Sequence, residues 1–162
     1  MKKIKELEES TYPQQLTRED YFKCPIWFAD EPKFIEDLNK ASDKYIEEAK
    51  KIMQPDLDKK NELNKTTGDL GSVYHSTTLV GDPDFKTIAD YIGATSHNLL
   101  MEMGFDMSNH QLFTTEMWVQ EFAKSGGGHL TLHTHWNGHI SGFYFLKASD
   151  KTSMPMFEDP RS

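Results

Sequence analysis

Residues Gly126–Leu146, GGGHLTLHTHWNGHISGFYFL, hold four of the chain's seven histidines, His129, His133, His135 and His139. Side chains alternate between the two faces of an extended strand, so His129, Thr131, His133 and His135 would share one face there. Leu130, Leu132 and Thr134 would share the other. One face is then polar and rich in imidazole, the other mostly apolar, as expected of a strand that lines a site. A neutral imidazole suits iron, zinc, copper and nickel alike. His133 and His135, at i and i+2, can reach one ion together, and His129 lies on the same face but farther off. A lone H-x-H pair is commonly a surface feature, and the clustering of four histidines strengthens the metal reading. Asn137-Gly138 reads as a tight hairpin turn. It would set His133 opposite Gly142, leaving room for a substrate, and Thr131 opposite Tyr144. His75, His97 and His110 stand alone and take no role.

Working outward, Gln111–Phe122, QLFTTEMWVQEF, is dense in aromatic and β-branched residues and predicts a strand. Leu112, Thr114, Glu116, Trp118 and Gln120 fall on one face of it, and Phe113, Thr115, Met117 and Val119 on the other. Ser125-Gly126-Gly127-Gly128 breaks that strand. It reads as a loop and not a phosphate cradle, because no helix N-terminus follows to supply free amides. Ile140–Leu146 predicts a further strand, and Asp150-Lys151 turns the chain into Ser153–Phe157.

Toward the N-terminus, residues 1–20 read as a charged leader. Tyr21–Ala29, YFKCPIWFA, reads as a short strand with Pro25 at a bulge or edge. Asp30 and Pro32 open a helix over about 31–53, with Phe34, Ile35, Leu38, Ala41, Tyr45, Ala49 and Ile52 at helical spacing. Gln54–Gly71 is polar and turn-rich and predicts a long loop, and Ser72–Val80 carries a strand. Asp82-Pro83 starts a second helix that Gly104 ends, weakened in its middle by Gly93, Thr95 and Ser96. The order predicts a mainly β fold with flanking helices, an α+β sandwich with the helices packed outside.

The length of 162 residues suits one domain, or most of a larger one, and 36% hydrophobic with 27% charged residues is a globular composition. Eighteen basic residues against 26 acidic ones give a net charge of −8. That charge argues against non-specific binding to nucleic acid or anionic lipid, and no basic cluster offsets it. The single cysteine, Cys24, excludes an intramolecular disulfide and a cysteine-rich zinc site, and reads as a small buried apolar residue. No apolar run approaches the roughly 20 residues of a membrane span, and the basic start MKKIKELEES lacks the apolar segment of a signal peptide. The expectation is a cytoplasmic protein without a membrane partner.

Two family resemblances bear on the histidines. The weaker is to the cupins, whose first motif places a glycine before H-x-H and a glutamate after it. Gly127, His133 and His135 fit it, but His139 stands at the glutamate position. The stronger covers most of the chain, which resembles a family of iron(II)- and 2-oxoglutarate-dependent oxygenases of bacteria and their phages. The elements occur in order: F-x-x-P-I-W at Phe22, Pro25, Ile26 and Trp27; D-P-x-F at Asp82, Pro83 and Phe85; M-W at Met117-Trp118. H-x-H follows at His133 and His135, then Ser141-Gly142-Phe143-Tyr144-Phe145-Leu146, Pro155, and Phe157-Glu158-Asp159-Pro160-Arg161.

The resemblance implies a double-stranded β-helix, or jelly roll, over 21–162, in which strands 129–135 and 140–146 would lie in opposed sheets rather than pair. It implies an oxygenase that couples hydroxylation of a small molecule or a protein side chain to decarboxylation of 2-oxoglutarate. His133 takes the histidine of the superfamily's H-x-D pair as an Fe(II) ligand, and His135 stands where the aspartate would be. By position, Tyr144 or Ser141 would contact 2-oxoglutarate. The family continues past F-x-D-P-R into strands that carry a distal histidine and a carboxylate-binding arginine, whereas this chain stops at Pro160-Arg161-Ser162. The expectation is a fragment lacking its last strands, in which His139, or His129, substitutes as third ligand. Unpaired edges would make such a fragment marginal in stability or a homo-oligomer. Two alternatives stand beside it: a non-catalytic jelly-roll binding module, and a cupin-type metal protein using His133, His135 and His139.

Overall fold

The computed structural model describes residues 24–135, 138–150, 152 and 154–159. Their backbone divides the chain into two compact units, one over Glu31–Thr152 and one formed by Met1–Asp30 with Ser153–Ser162. The described parts of the second unit, residues 24–30 and 154–159, carry no regular secondary structure. The expected strand over Tyr21–Ala29 therefore does not form where it is described, and Tyr21, Phe22 and Lys23 lie outside the described residues. Cys24 is exposed rather than buried.

In the larger unit, Pro32 sets the first turn, a short 3₁₀ segment Pro32–Phe34, and the chain continues into helix α1, Ile35–Asn64. Phe34, Leu38, Ser42, Ile46 and Ala49 recur every three or four residues and are buried along one stripe. Ile52 lies off that stripe at 65% exposure. The predicted end of the helix near 53 is corrected by eleven residues. Met53, Leu57 and Asn61 continue the stripe at four-residue spacing, each half-buried. Pro55 removes one backbone donor but leaves the remaining ladder intact. Gln54 bridges the proline by donating to Asp58 at 2.6 Å. Helix α1 ends at Lys65, whose left-handed φ of 51° lets Thr66 N–H reach the Asn61 carbonyl at 3.0 Å.

Strand β1, Val73–His75, follows, and then helix α2, Lys86–Glu102, which begins where Asp82 caps Asp84 N–H at 2.9 Å. It runs unbroken through Gly93, Thr95 and Ser96 and stops before Gly104, at φ 93°. Strand β2, Gln120–Phe122, pairs antiparallel with β1, setting Val73 opposite Phe122, Tyr74 opposite Glu121 and His75 opposite Gln120. The contact extends past β1, where Ser76 N–H donates to the Val119 carbonyl and Leu79 N–H to that of Met117. Leu79 is 1% exposed, the most buried side chain of the core. It clusters with Phe34, Leu38, Ile46, Phe85, Ile88 and Val119.

Among the described residues the fold is thus mostly helical, with one two-stranded sheet, and not the mainly β jelly roll expected from the sequence. Alternation alone does not make a strand; a second backbone must supply the ladder. Residues 129–135 and 140–146 have no such partner among the described residues, so neither the hairpin pairing of His133 with Gly142 nor opposed sheets form. Leu132 at 67% and Phe143 at 61% exposure stay open, whereas Tyr144 and Leu146 pack partly buried against the core. The apolar face read opposite the histidines is therefore not a core face.

Candidate functional site

Within Gln111–Phe122 the alternating faces separate as the sequence predicts only over 116–119; Phe113, expected on the face of Met117 and Val119, is 78% exposed. Val119 and Met117 pack with the core, while Trp118 and Glu116 turn the other way. Two hydrogen bonds fix this register. Ser76 Oγ accepts from Val119 N–H at 3.0 Å, and Ser76 N–H donates to the Val119 carbonyl. The Trp118 ring is thereby held against His75, with centroids 5.0 Å apart and planes at 25°. The indole also stacks on His135, at 6.1 Å and 21°. His75, Trp118 and His135 form a column of flat rings, and His133 meets His135 edge-on at 5.1 Å.

Hydrogen bonding fixes the chemistry of His133. Its Nδ1 lies 2.7 Å from the Thr131 carbonyl, which can only accept, so the proton sits on Nδ1. The Nε2 lone pair is then free to ligate, oriented as in the ligand histidines of metal sites. His135 turns Nδ1 toward Glu116 Oε2 at 3.9 Å. That distance is too long for a direct hydrogen bond. Glu116, with Met117, Trp118, His75 and Thr78, lines an open cleft of about 320 Å³ beside the ring column.

The remaining sequence candidates lie elsewhere. His139 sits edge-on to Phe105 at 5.8 Å. His129 directs Nδ1 toward the Gly127 carbonyl at 3.4 Å. Tyr144 donates its hydroxyl to the Glu31 carbonyl and packs its ring edge-on against Phe34. Ser141 is exposed, near Gly138. His133 and His135 are thus brought together, whereas Tyr144 is engaged with the core. Sequence reading missed His75, Trp118 and Glu116. Their shared strand face was legible for Glu116 and Trp118, but the pairing with β1 that adds His75 was not.

The donor set can be tested against a metal. Imidazole nitrogens bind at about 2.1 Å, so two rings on one ion have centroids roughly 4.5 to 5.2 Å apart as their angle opens from a right angle to a tetrahedral one. The 5.1 Å between His133 and His135 falls inside that span. Among the described residues, no three His, Cys, Asp or Glu side chains are already gathered as a metal-holding group. The spacing of the two rings is compatible with one ion held between them, with further positions left to be filled. No helix of the described residues is long and apolar enough to cross a membrane. No family model, curated protein or solved structure matches the chain.

Proposed function

We propose that the chain is a non-haem iron(II)- and 2-oxoglutarate-dependent oxygenase centred on His133 and His135. The observation that carries this reading is the paired imidazoles, 5.1 Å apart, with Nε2 of His133 left free by the Thr131 carbonyl. The ordered motifs it shares with such oxygenases add support, from Pro25-Ile26-Trp27 to Phe157-Glu158-Asp159-Pro160-Arg161. The reading rests on donors and motifs and not on architecture, since one chemistry recurs on unrelated folds.

Iron(II), when bound, supplies open positions for O2 and 2-oxoglutarate, so that decarboxylation to succinate and CO2 accompanies insertion of one oxygen atom into a substrate C–H bond. The chain's own residues hold and shape the site. His133 presents Nε2, and Thr131 fixes its tautomer. Trp118 covers one face of His135 and restricts the turning of its ring. The neighbouring cleft, with Met117 and Trp118 in its wall, is where a substrate of modest size would lie. Anaerobic loading of the full chain with Fe(II), followed by O2 and 2-oxoglutarate, tests the reading. About one iron per chain with succinate release is expected. Iron bound without any succinate would reduce the site to a metal-binding protein of the cupin type. A chain that binds no iron, and whose His133→Ala form is indistinguishable from wild type, would be a non-catalytic module.

A further inference from the structure

We infer that Glu116 is the third protein ligand of this site, supplying the carboxylate that the H-x-H pair lacks. The inference rests on the metal reading of His133 and His135 and adds a residue from a distant segment that no motif marks.

Three observations bring Glu116 to His135. Its Oε2 stands 3.9 Å from His135 Nδ1, and its side chain is 62% exposed and so can move with little loss of packing. It shares its face with Trp118, whose ring stacks on His135. It also lines the cleft beside the ring column, where a ligand would approach the ion.

The distance suits a shared ion better than a direct bond. Donors about 2.1 Å from one ion stand roughly 3.0 Å apart when adjacent and at most about 4.2 Å apart when opposite. A shift of less than about 1 Å closes the 3.9 Å gap to the adjacent arrangement, within the reach of one side-chain rotation. Two neutral imidazoles and one carboxylate leave a divalent ion with a net positive charge, which favours a dianionic co-substrate. The alternative third ligand His139 is placed less well. It packs its ring edge-on against Phe105 rather than against the imidazole pair.

The test is Co(II) titration of the full chain, followed by visible absorption and calorimetry, on wild type, Glu116→Gln, His133→Ala and the charge control Glu102→Gln. Far-UV circular dichroism verifies that each variant is folded. The expected result is one Co(II) per wild-type chain, affinity weakened more than about tenfold with an altered spectrum in Glu116→Gln, and no change in Glu102→Gln. If His133→Ala abolishes binding while Glu116→Gln matches wild type in affinity and spectrum, Glu116 is not a ligand and the imidazole pair stands without it. If wild type binds no Co(II), both the inference and the metal reading beneath it are overturned.

Discussion

At the residue scale, the site depends on flat rings held in order. Trp118 stacks on both His75 and His135. Trp118→Ala frees His135 to rotate without removing a donor atom. It is expected to weaken Co(II) binding by about tenfold, the effect of losing a group that orients a ligand. Calorimetric titration checks this, and an unchanged affinity would show that the column does not position His135. The H-x-H pair itself was legible from position and residue type. The column was not, because His75 and Trp118 are far apart in sequence and meet only through the β1–β2 register. The role read for Tyr144 shows the same limit, since its motif position carries no trace of the Glu31 carbonyl that its hydroxyl meets.

At the element scale, the turns around β1 and β2 carry more than their composition suggests. Asp69 accepts from Ser125 N–H at 3.2 Å, Lys124 N–H at 3.3 Å and the Tyr74 hydroxyl at 3.2 Å, tying the turn before β1 to the turn after β2. Hydrogen bonding from the Ser125 side chain, with these backbone and Tyr74 contacts, holds its carboxyl below the ordinary aspartate range, against a smaller opposing effect of burial. A depressed folded value contributes stability above the unfolded pKa, and that contribution is lost as pH falls through the folded value. Asp69→Asn is therefore expected to be less stable than wild type near neutrality, with the gap narrowing below about pH 4. Urea midpoints across that range check it. Gly128 gives a second prediction. A Cβ there would lie 2.6 Å from the Ser72 carbonyl oxygen, so Gly128→Ala should cost about 1–3 kcal/mol by overpacking, read by urea unfolding. The glycine run is thus a close backbone approach at Gly128, which agrees with reading it as a turn. Both helix starts were legible from Pro32 and Asp82-Pro83. The far end of α1 was not, because polar residues around Pro55 look like a loop until Met53, Leu57 and Asn61 are seen to continue its stripe.

At the scale of the whole molecule, the core of Glu31–Thr152 joins α1, α2 and the β1–β2 pair around Leu79. Leu79→Ala is expected to cost about 3 kcal/mol in urea unfolding, since the side chain is 1% exposed and its cavity has little means to collapse. A much smaller cost would place the centre of the core elsewhere. Fold class was the least legible property. Alternating residues over 111–119, 129–135 and 140–146 predicted strands, but partner strands decide whether a ladder forms, and among the described residues only Val73–His75 and Gln120–Phe122 pair as strands. What survives from the sequence is local: the helix starts, the faces of Glu116 and Trp118 against Met117 and Val119, and the meeting of His133 with His135. The central claim is that this imidazole pair binds iron(II) and through it 2-oxoglutarate. The most direct measurement is anaerobic titration of 2-oxoglutarate into the full chain with and without Fe(II), read by calorimetry and visible charge-transfer absorption. The account predicts that 2-oxoglutarate binds only when Fe(II) is present and that His133→Ala abolishes both signals; binding that is absent, or indifferent to Fe(II) and to His133, would contradict it.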